Sequence, residues 1–373
     1  MKFKNATIGT LISHCFLVGV VICSLISCNN KMKNVRDESE LISSGDSRIH
    51  YTGRMDFSYP DQVRFSGAGA YIEAGFSGTC LKMDMGEGSG MNYIQVVVDD
   101  KEPVRIQLKK GRNTYVLAEN LNEGNHKVLI CKDTEAAMGY LQFFGFYCKN
   151  LVELNNLPER KIECYGNSIT VGAKMLEGEP CDQTNNNINW NAANSAYNSY
   201  GALTARMLDA RWQLTAWSGI GLINSCCNMT VTMPDVYDRL YLEKDTLKWD
   251  FSKYIPDVVT ICLGQNDGPE IVLSDEYKGK YELFIASLRS KYPEASIFCL
   301  TSPMADEKLL AAMNQVLNGI VDKYNVSGDS RVYKVELPHG MCGGCINQGH
   351  PGKAEHEQIA QVLTKEIKLK MNW

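Results

Sequence analysis

The chain has 373 residues, 44% of them hydrophobic and 22% charged, with a formal charge of −5. That length can hold two domains with a core each, and an acidic balance with no basic stripe interleaved with aromatics argues against nucleic acid as a partner. Beyond the first thirty residues no stretch is apolar and long enough to span a bilayer.

At the start of the chain, Lys2 and Lys4 precede an apolar run that ends Leu25-Ile26-Ser27-Cys28. Charged, hydrophobic and small-residue regions in that order are those of a secretory signal, here residues 1–27, which is set aside from the fold. The junction also resembles a bacterial lipobox, in which Cys28 takes the lipid and becomes the new first residue. The expected product is an exported lipoprotein, periplasmic or on the cell surface, anchored to the membrane at Cys28. A plain transmembrane anchor is the alternative, and the small residue before Cys28 favours cleavage instead. Residues 28–47 are polar, carry both signs of charge and read as a flexible, disordered tether.

From 48 to 155 the pattern has period two and is rich in turns, as in AYIEAGFSG, YIQVVVDD, HKVLICKD and LQFFGFYC. Short alternating runs between Gly, Asp and Asn clusters predict an all-β sandwich of jelly-roll type. Across 156–373 the pattern changes. The apolar runs KIECYG, WQLTAWSG, DVVTICLG, SIFCLTSP and RVYKVELP read as strands. Between and after them Tyr281, Phe284, Ile285 and Leu288 recur at helical spacing, as do Leu309, Leu310, Met313, Val316, Leu317, Ile320 and Val321. A last amphipathic helix is expected over about Lys353 to Lys370, with Ile359, Val362, Leu363 and Ile367 inward. Wholly apolar strands separated by helices predict a doubly wound parallel α/β domain with both faces covered.

Of the fourteen cysteines, Cys15, Cys23 and Cys28 fall in the signal region. Cys131, Cys262 and Cys299 sit in apolar strand-like runs and read as small core hydrophobes. Cys226-Cys227 and Cys342-Gly-Gly-Cys345 differ, because an exported compartment allows oxidation.

In doubly wound sheets the site lies outside the carboxyl ends of the strands. Three strands here end in unusual polar groups, Gly166-Asn167-Ser168, Ser218-Gly219-Ile220-Gly221 and Gly264-Gln265-Asn266-Asp267, and Gly349-His350-Pro351 precedes the last helix. A serine in such a place is a helix cap or a nucleophile, and a nucleophilic hydroxyl needs a base within hydrogen-bond reach. Outside the signal the histidines are His50 and His126 in the β region, His356 within the last helix, and His339 and His350. His350 is the better placed base, because Pro351 fixes the entry to the helix. Acyl transfer also needs donors for the developing oxyanion. Ser168 offers its own N–H, Gly219 a second that its missing side chain leaves accessible, and Asn266 its side-chain amide.

These residues resemble the SGNH hydrolase superfamily, also called GDSL esterases: GNSIT, SGIG, GQND and a C-terminal histidine stand in its order and spacing. Ser168, Gly219, Asn266 and His350 match its four name-giving residues. The front half, ending EGNHKVLICKDTEAAMGYLQFFGFY, is similar to the N-terminal jelly roll of carbohydrate esterase family two. YNSYGALTARMLDARWQLTAWSGIGL resembles the segment that follows it in that family. The resemblance implies a flavodoxin-like SGNH domain behind a jelly roll and a serine esterase that removes O-acetyl groups from polysaccharides such as acetylated xylan, with no cofactor.

Two positions depart from the pattern. Asn167 replaces the usual acid of Gly-Asp-Ser, but an amide makes many of the same local hydrogen bonds. Asn347 stands where many members carry an acid that orients the histidine, a substitution that costs heavily in a serine protease. The resemblance implies a Ser-His dyad instead, with Asn347 or a nearby carbonyl orienting His350. Trp190 and Trp217 are candidates for stacking on a sugar ring or for plain packing. The stretch QTNNNINWNAANS reads as a loop over the site. His339, Cys342, Cys345 and His350 have donor types that could bind zinc, in an unfamiliar spacing; the expectation is no metal. The alternatives are an SGNH lipase or thioesterase on other acyl esters, and a non-catalytic glycan-binding surface lipoprotein.

Overall fold

A computed structural model describes residues 40–179, 189–345 and 349–373. The signal region, Cys28 and most of the spacer lie outside the described residues. The end of the spacer corrects the expectation of a disordered tether up to residue 47. Ile42–Ser43 adds a short strand against Leu141–Tyr147, with Ile42 opposite Phe146. Ile42 packs on the sandwich core, and the Asp46 carboxylate holds both the guanidinium and the backbone N–H of Arg48. The Ser44 N–H adds a bond to the Phe144 carbonyl at 2.8 Å, and the Tyr51 hydroxyl donates to the Ser44 carbonyl at 2.6 Å, so this polar segment is held on the sandwich.

The front half is a sandwich of two antiparallel sheets. One sheet runs in the order Ile42–Ser43, Leu141–Tyr147, Leu81–Glu87, Gly111–Ala118, and Val63–Phe65 also pairs with Leu141–Tyr147. The other runs Asn150–Val152, Tyr71–Ser77, Asn125–Lys132, Tyr93–Val98, Val104–Gln107, with Ile49–Thr52 also on Tyr71–Ser77. Period-two alternation sends Phe65, Ile72, Phe76, Met83, Ile130 and Phe143 between the sheets, where all are fully buried. Each such side chain contributes about 1.5–3 kcal/mol of burial.

Behind it lies a five-stranded sheet in the spatial order Ala210–Ala216, Arg160–Gly166, Val258–Cys262, Ser296–Leu300, Val332–Val335, parallel throughout. The expected apolar runs are these strands. Residues 258–262 and 296–300 are buried at every position, because helices cover both faces. Tyr200–Met207 and Lys353–Met371 pack on one face, where Cys164, Leu363 and Ile367 meet. Asp275–Lys291 and Glu307–Val326 cover the other, where Ile261, Phe284 and Leu317 meet. The chain order of the strands reverses between Arg160–Gly166 and its neighbours on either side. That reversal opens a crevice at their carboxyl ends, where sheets of this type bind ligands.

Sandwich and sheet share a core. Tyr71 stacks on Trp212 with ring centroids 4.1 Å apart, and the Trp212 indole donates to the carbonyl of Gly69 at 2.9 Å. Asp133, at the end of a sandwich strand, accepts from Ser195 Oγ, Tyr197 N–H and Arg105. Buried Glu163 gathers Arg54 from the sandwich, Gln213 and Thr215 from the next strand, and Tyr292 from beyond the helix. A buried carboxylate survives only with such partners.

His356 lies in the last helix, fully buried, and its Nδ1 accepts the N–H of Tyr200 at 3.1 Å. Burial, and then the charge of nearby His350, push its pKa down to about 3 from 6.5. Between those values the unfolded chain takes up a proton that the folded chain refuses, so stability is full above pH 6.5 and falls as the pH drops toward 3. The expected loss is up to about 5 kcal/mol. Denaturant midpoints across this range, compared with His356→Gln, check it; parallel profiles for the two proteins would count against it.

Candidate active site

The strand Arg160–Gly166 runs into a one-turn helix, Ser168–Val171. The residue before that helix settles whether the serine is a cap. Asn167 Oδ1 accepts the N–H of Ile169 at 3.0 Å, so Asn167 caps the helix and the Ser168 hydroxyl is left for other work. Ser168 holds the first helical position, where the amide has no intrahelical partner. Its residue is 8% exposed, and its Oγ lies 2.9 Å from His350 Nε2.

His350 reaches that position through backbone anchoring. Gly344 N–H donates to the His350 carbonyl at 2.8 Å, and Cys345 N–H to the carbonyl of Lys174 at 2.8 Å. Glu355, in the first turn of the last helix, accepts from the N–H groups of Gly343 and Gly352. A Cβ at residue 344 would fall 2.4 Å from the Lys174 carbonyl oxygen, so only glycine fits there. The Cys-Gly-Gly-Cys stretch thus acts through its glycines. Cys342 is an exposed free thiol and Cys345 is disulfide-bonded, which removes Cys345 from the zinc set considered above. Among the described residues no group of three or more His, Cys, Asp or Glu side chains could hold a metal ion. Asn347, the expected orienter, lies outside the described residues.

Gly219 follows the neighbouring strand with a left-handed backbone, φ 85°, and its carbonyl accepts the N–H of Cys226 at 2.8 Å. A Cβ there would meet Cys226 Sγ at 3.0 Å and Met229 Sδ at 3.1 Å. Asn266, after the third strand, donates from Nδ2 to the Ile220 carbonyl at 2.8 Å. Asp267 holds the same loop from the next position, accepting from the N–H groups of Leu222, Ile223 and Asn224. Burial pushes the Asp267 carboxyl up, against the pull of those three donors.

Ser168, Trp217, Gly219, Asn266 and His350 line one pocket of about 470 Å³. All four motifs expected on the rim therefore meet. Half-buried Trp217 is in the wall, while Trp190 opens the turn Trp190–Ala193 and much of its Asn-rich stretch lies outside the described residues. Cys226 and Cys227, set apart in the sequence as open to oxidation, are bonded to each other beside Gly219. One feature of the wall escaped the sequence. Glu135 arrives from the sandwich, and no local spacing announces it.

Comparison with known proteins matches residues 51–158 to the family model Carbohydrate esterase 2 N-terminal, and residues 164–327 to the GDSL-like Lipase/Acylhydrolase family. The structure of a family two carbohydrate esterase from Clostridium thermocellum in complex with cellohexaose is 34% identical, with TM-score 0.78 over 87% of this chain and 99% of that one. An acetylxylan esterase / glucomannan deacetylase of Cellvibrio japonicus is 28% identical over 94% of this chain and 96% of its own length. Cellulase/esterase CelE of Acetivibrio thermocellus is 35% identical over 90% of this chain, which spans only 41% of that protein.

Proposed function

As the chain belongs to the family two carbohydrate esterases, we propose that it removes O-acetyl groups from acetylated xylan or a related hemicellulose through a Ser168-His350 dyad. The observation that carries this reading is the 2.9 Å approach of His350 Nε2 to Ser168 Oγ, beside the Gly219 and Asn266 donors. Ser168 Oγ attacks the acetyl carbonyl while its proton passes to His350 Nε2. The oxyanion is received by the N–H groups of Ser168 and Gly219 and by the Asn266 amide. His350 returns the proton to the departing sugar oxygen, leaving an acetyl-enzyme. Water then attacks that ester, giving its proton to His350, and acetate leaves as Ser168 regains a proton.

The N-terminal residues support a location for this chemistry. Lys2, Lys4, the apolar run and Ser27-Cys28 fit an exported lipoprotein held to a membrane through Cys28 and working in the periplasm or on the cell surface. Trp217, in the pocket wall, is the favoured ring for contact with a sugar.

Acetate release from acetylated xylan, with p-nitrophenyl acetate and p-nitrophenyl octanoate side by side, tests the reading. The expected result is turnover of the polymer and of the acetate ester, with the octanoate slower by at least about tenfold, the scale of discrimination between acyl chains in a shaped pocket. Preference for octanoate would move the protein to the lipases and thioesterases. No release above a Ser168→Ala control would leave a glycan-binding lipoprotein.

A further inference from the structure

By residue type, Gly219 is the least constrained donor of the site. A glycine populates both halves of backbone space, yet a donor for a developing charge must be aimed before that charge appears. Here it sits at φ 85°, and what fixes it comes from the loop that follows. Its carbonyl accepts the N–H of Cys226 at 2.8 Å. Cys226 Sγ stands against the glycine itself, since a Cβ on Gly219 would fall 3.0 Å from that sulfur. Both contacts run through one residue, and that residue is bonded through sulfur to the next, Cys227.

The loop carrying the pair is tied before its tip. Asp267 takes the N–H groups of Leu222, Ile223 and Asn224, and Ser225 Oγ accepts from Gly221 and donates to the Val231 carbonyl. At the tip the Cys226 carbonyl accepts the N–H of Met229 at 3.1 Å, while Cys227 and Asn228 both take left-handed backbone angles, φ 64° and 61°. Non-glycine residues keep such angles only where their surroundings over-determine them. Burial does not do this here, because Cys227 and Asn228 are exposed. The sulfur bond does: it closes a small ring around the peptide link between the two cysteines and restricts the backbone of both. In the exported setting proposed above, such a bond persists.

Resting on the esterase reading, we propose that the Cys226–Cys227 disulfide is a positioning element of the oxyanion site: it holds Cys226 against Gly219 and so aims the Gly219 N–H. The pair lines the pocket of Ser168 and His350, and Cys227 is exposed, so a small dithiol reaches it. One thiolate of the dithiol attacks a sulfur of the pair and forms a mixed disulfide. Its second thiolate then closes on the first, so the reductant leaves as a cyclic disulfide and two cysteine thiols remain. Turnover falls, because the carbonyl bond and the sulfur contact on Gly219 loosen while Ser168 and His350 keep theirs.

The test treats the full chain with dithiothreitol under argon. At each time one aliquot is desalted and assayed on p-nitrophenyl acetate and acetylated xylan, and a parallel one is alkylated with iodoacetamide for mass spectrometry. Before reduction the peptide carrying residues 226 and 227 should be unlabelled. As it gains its two labels, kcat should fall about 10- to 100-fold on both esters, with KM changed less than about threefold. The time course separates this pair from Cys345, which is also disulfide-bonded. Cys226→Ser/Cys227→Ser should start at the kcat of the reduced protein and lose no more than about twofold on reduction; should it misfold, the wild-type time course decides. Labelling of both cysteines before reduction, full kcat after it, or a decline that follows Cys345 instead would overturn the proposal. So would a loss confined to KM for xylan, which would make the sulfurs a sugar platform. No Ser168-dependent release from either ester by untreated wild type would sink the esterase reading and this inference together.

Discussion

Ser168→Ala is expected to lower kcat on an acetyl ester by roughly 10⁴ to 10⁶, with KM little changed, the range seen when a serine hydrolase loses its nucleophile. The fold should tolerate the change. Asn167, not Ser168, caps the helix, and the serine hydroxyl makes its contact with His350 rather than with the backbone. His350→Ala should cost a similar factor, because the hydroxyl cannot lose its proton without a base at 2.9 Å. The double variant should then be no slower than either single one, since two groups acting as one unit are not additive. Initial rates of acetate release for the three variants, with thermal unfolding as a check on folding, decide the matter. A Ser168→Ala protein that keeps a tenth of the activity, or effects that multiply, would mean the two residues do not act as a unit.

The parts of this molecule that were legible in the sequence are those whose signal is local. Helical spacing of Tyr281, Phe284, Ile285 and Leu288 gave the helix Asp275–Lys291, and the all-apolar runs gave the parallel strands, because burial on two faces leaves no room for alternation. The motifs after three adjacent strands pointed to one rim because sheet topology places all carboxyl ends together. Ile42 was missed because Leu41-Ile42, an isolated apolar pair in a polar stretch, makes no alternation, although it adds a strand. Glu135 was missed for a different reason. It meets Ser218 across 83 residues of chain, and only the packing of sandwich on sheet brings them together. Around residues 342–345 the cysteines drew attention to metal and disulfide chemistry, while the contacts that hold His350 come from backbone N–H groups of the glycines between them. Backbone donors carry no residue-type signature, so anchoring of that kind is readable only where close approach forbids a side chain.

Asn266→Ala is expected to lower kcat by about 10² to 10³, equivalent to about 2.7–4 kcal/mol of oxyanion stabilisation. The amide is oriented before substrate arrives: one Nδ2 hydrogen is given to the Ile220 carbonyl at 2.8 Å, which leaves the second to face the pocket. Ile220 follows Gly219, so the side-chain donor and the Gly219 N–H are fixed to each other through one short loop. Asp267 fixes that loop again through its three backbone bonds. A donor held in this way needs no reorganisation as charge develops, which is why its loss should appear in kcat and hardly in KM. Asn266→Asp separates donation from shape. It keeps the volume but replaces the N–H with an acceptor that repels the oxyanion, so it should be at least as slow as the alanine variant. Burst and steady-state kinetics on p-nitrophenyl acetate give the split. An Asn266→Asp protein faster than Asn266→Ala, or a loss confined to KM, would show that the amide binds the ground state, leaving the oxyanion to the N–H groups of Ser168 and Gly219.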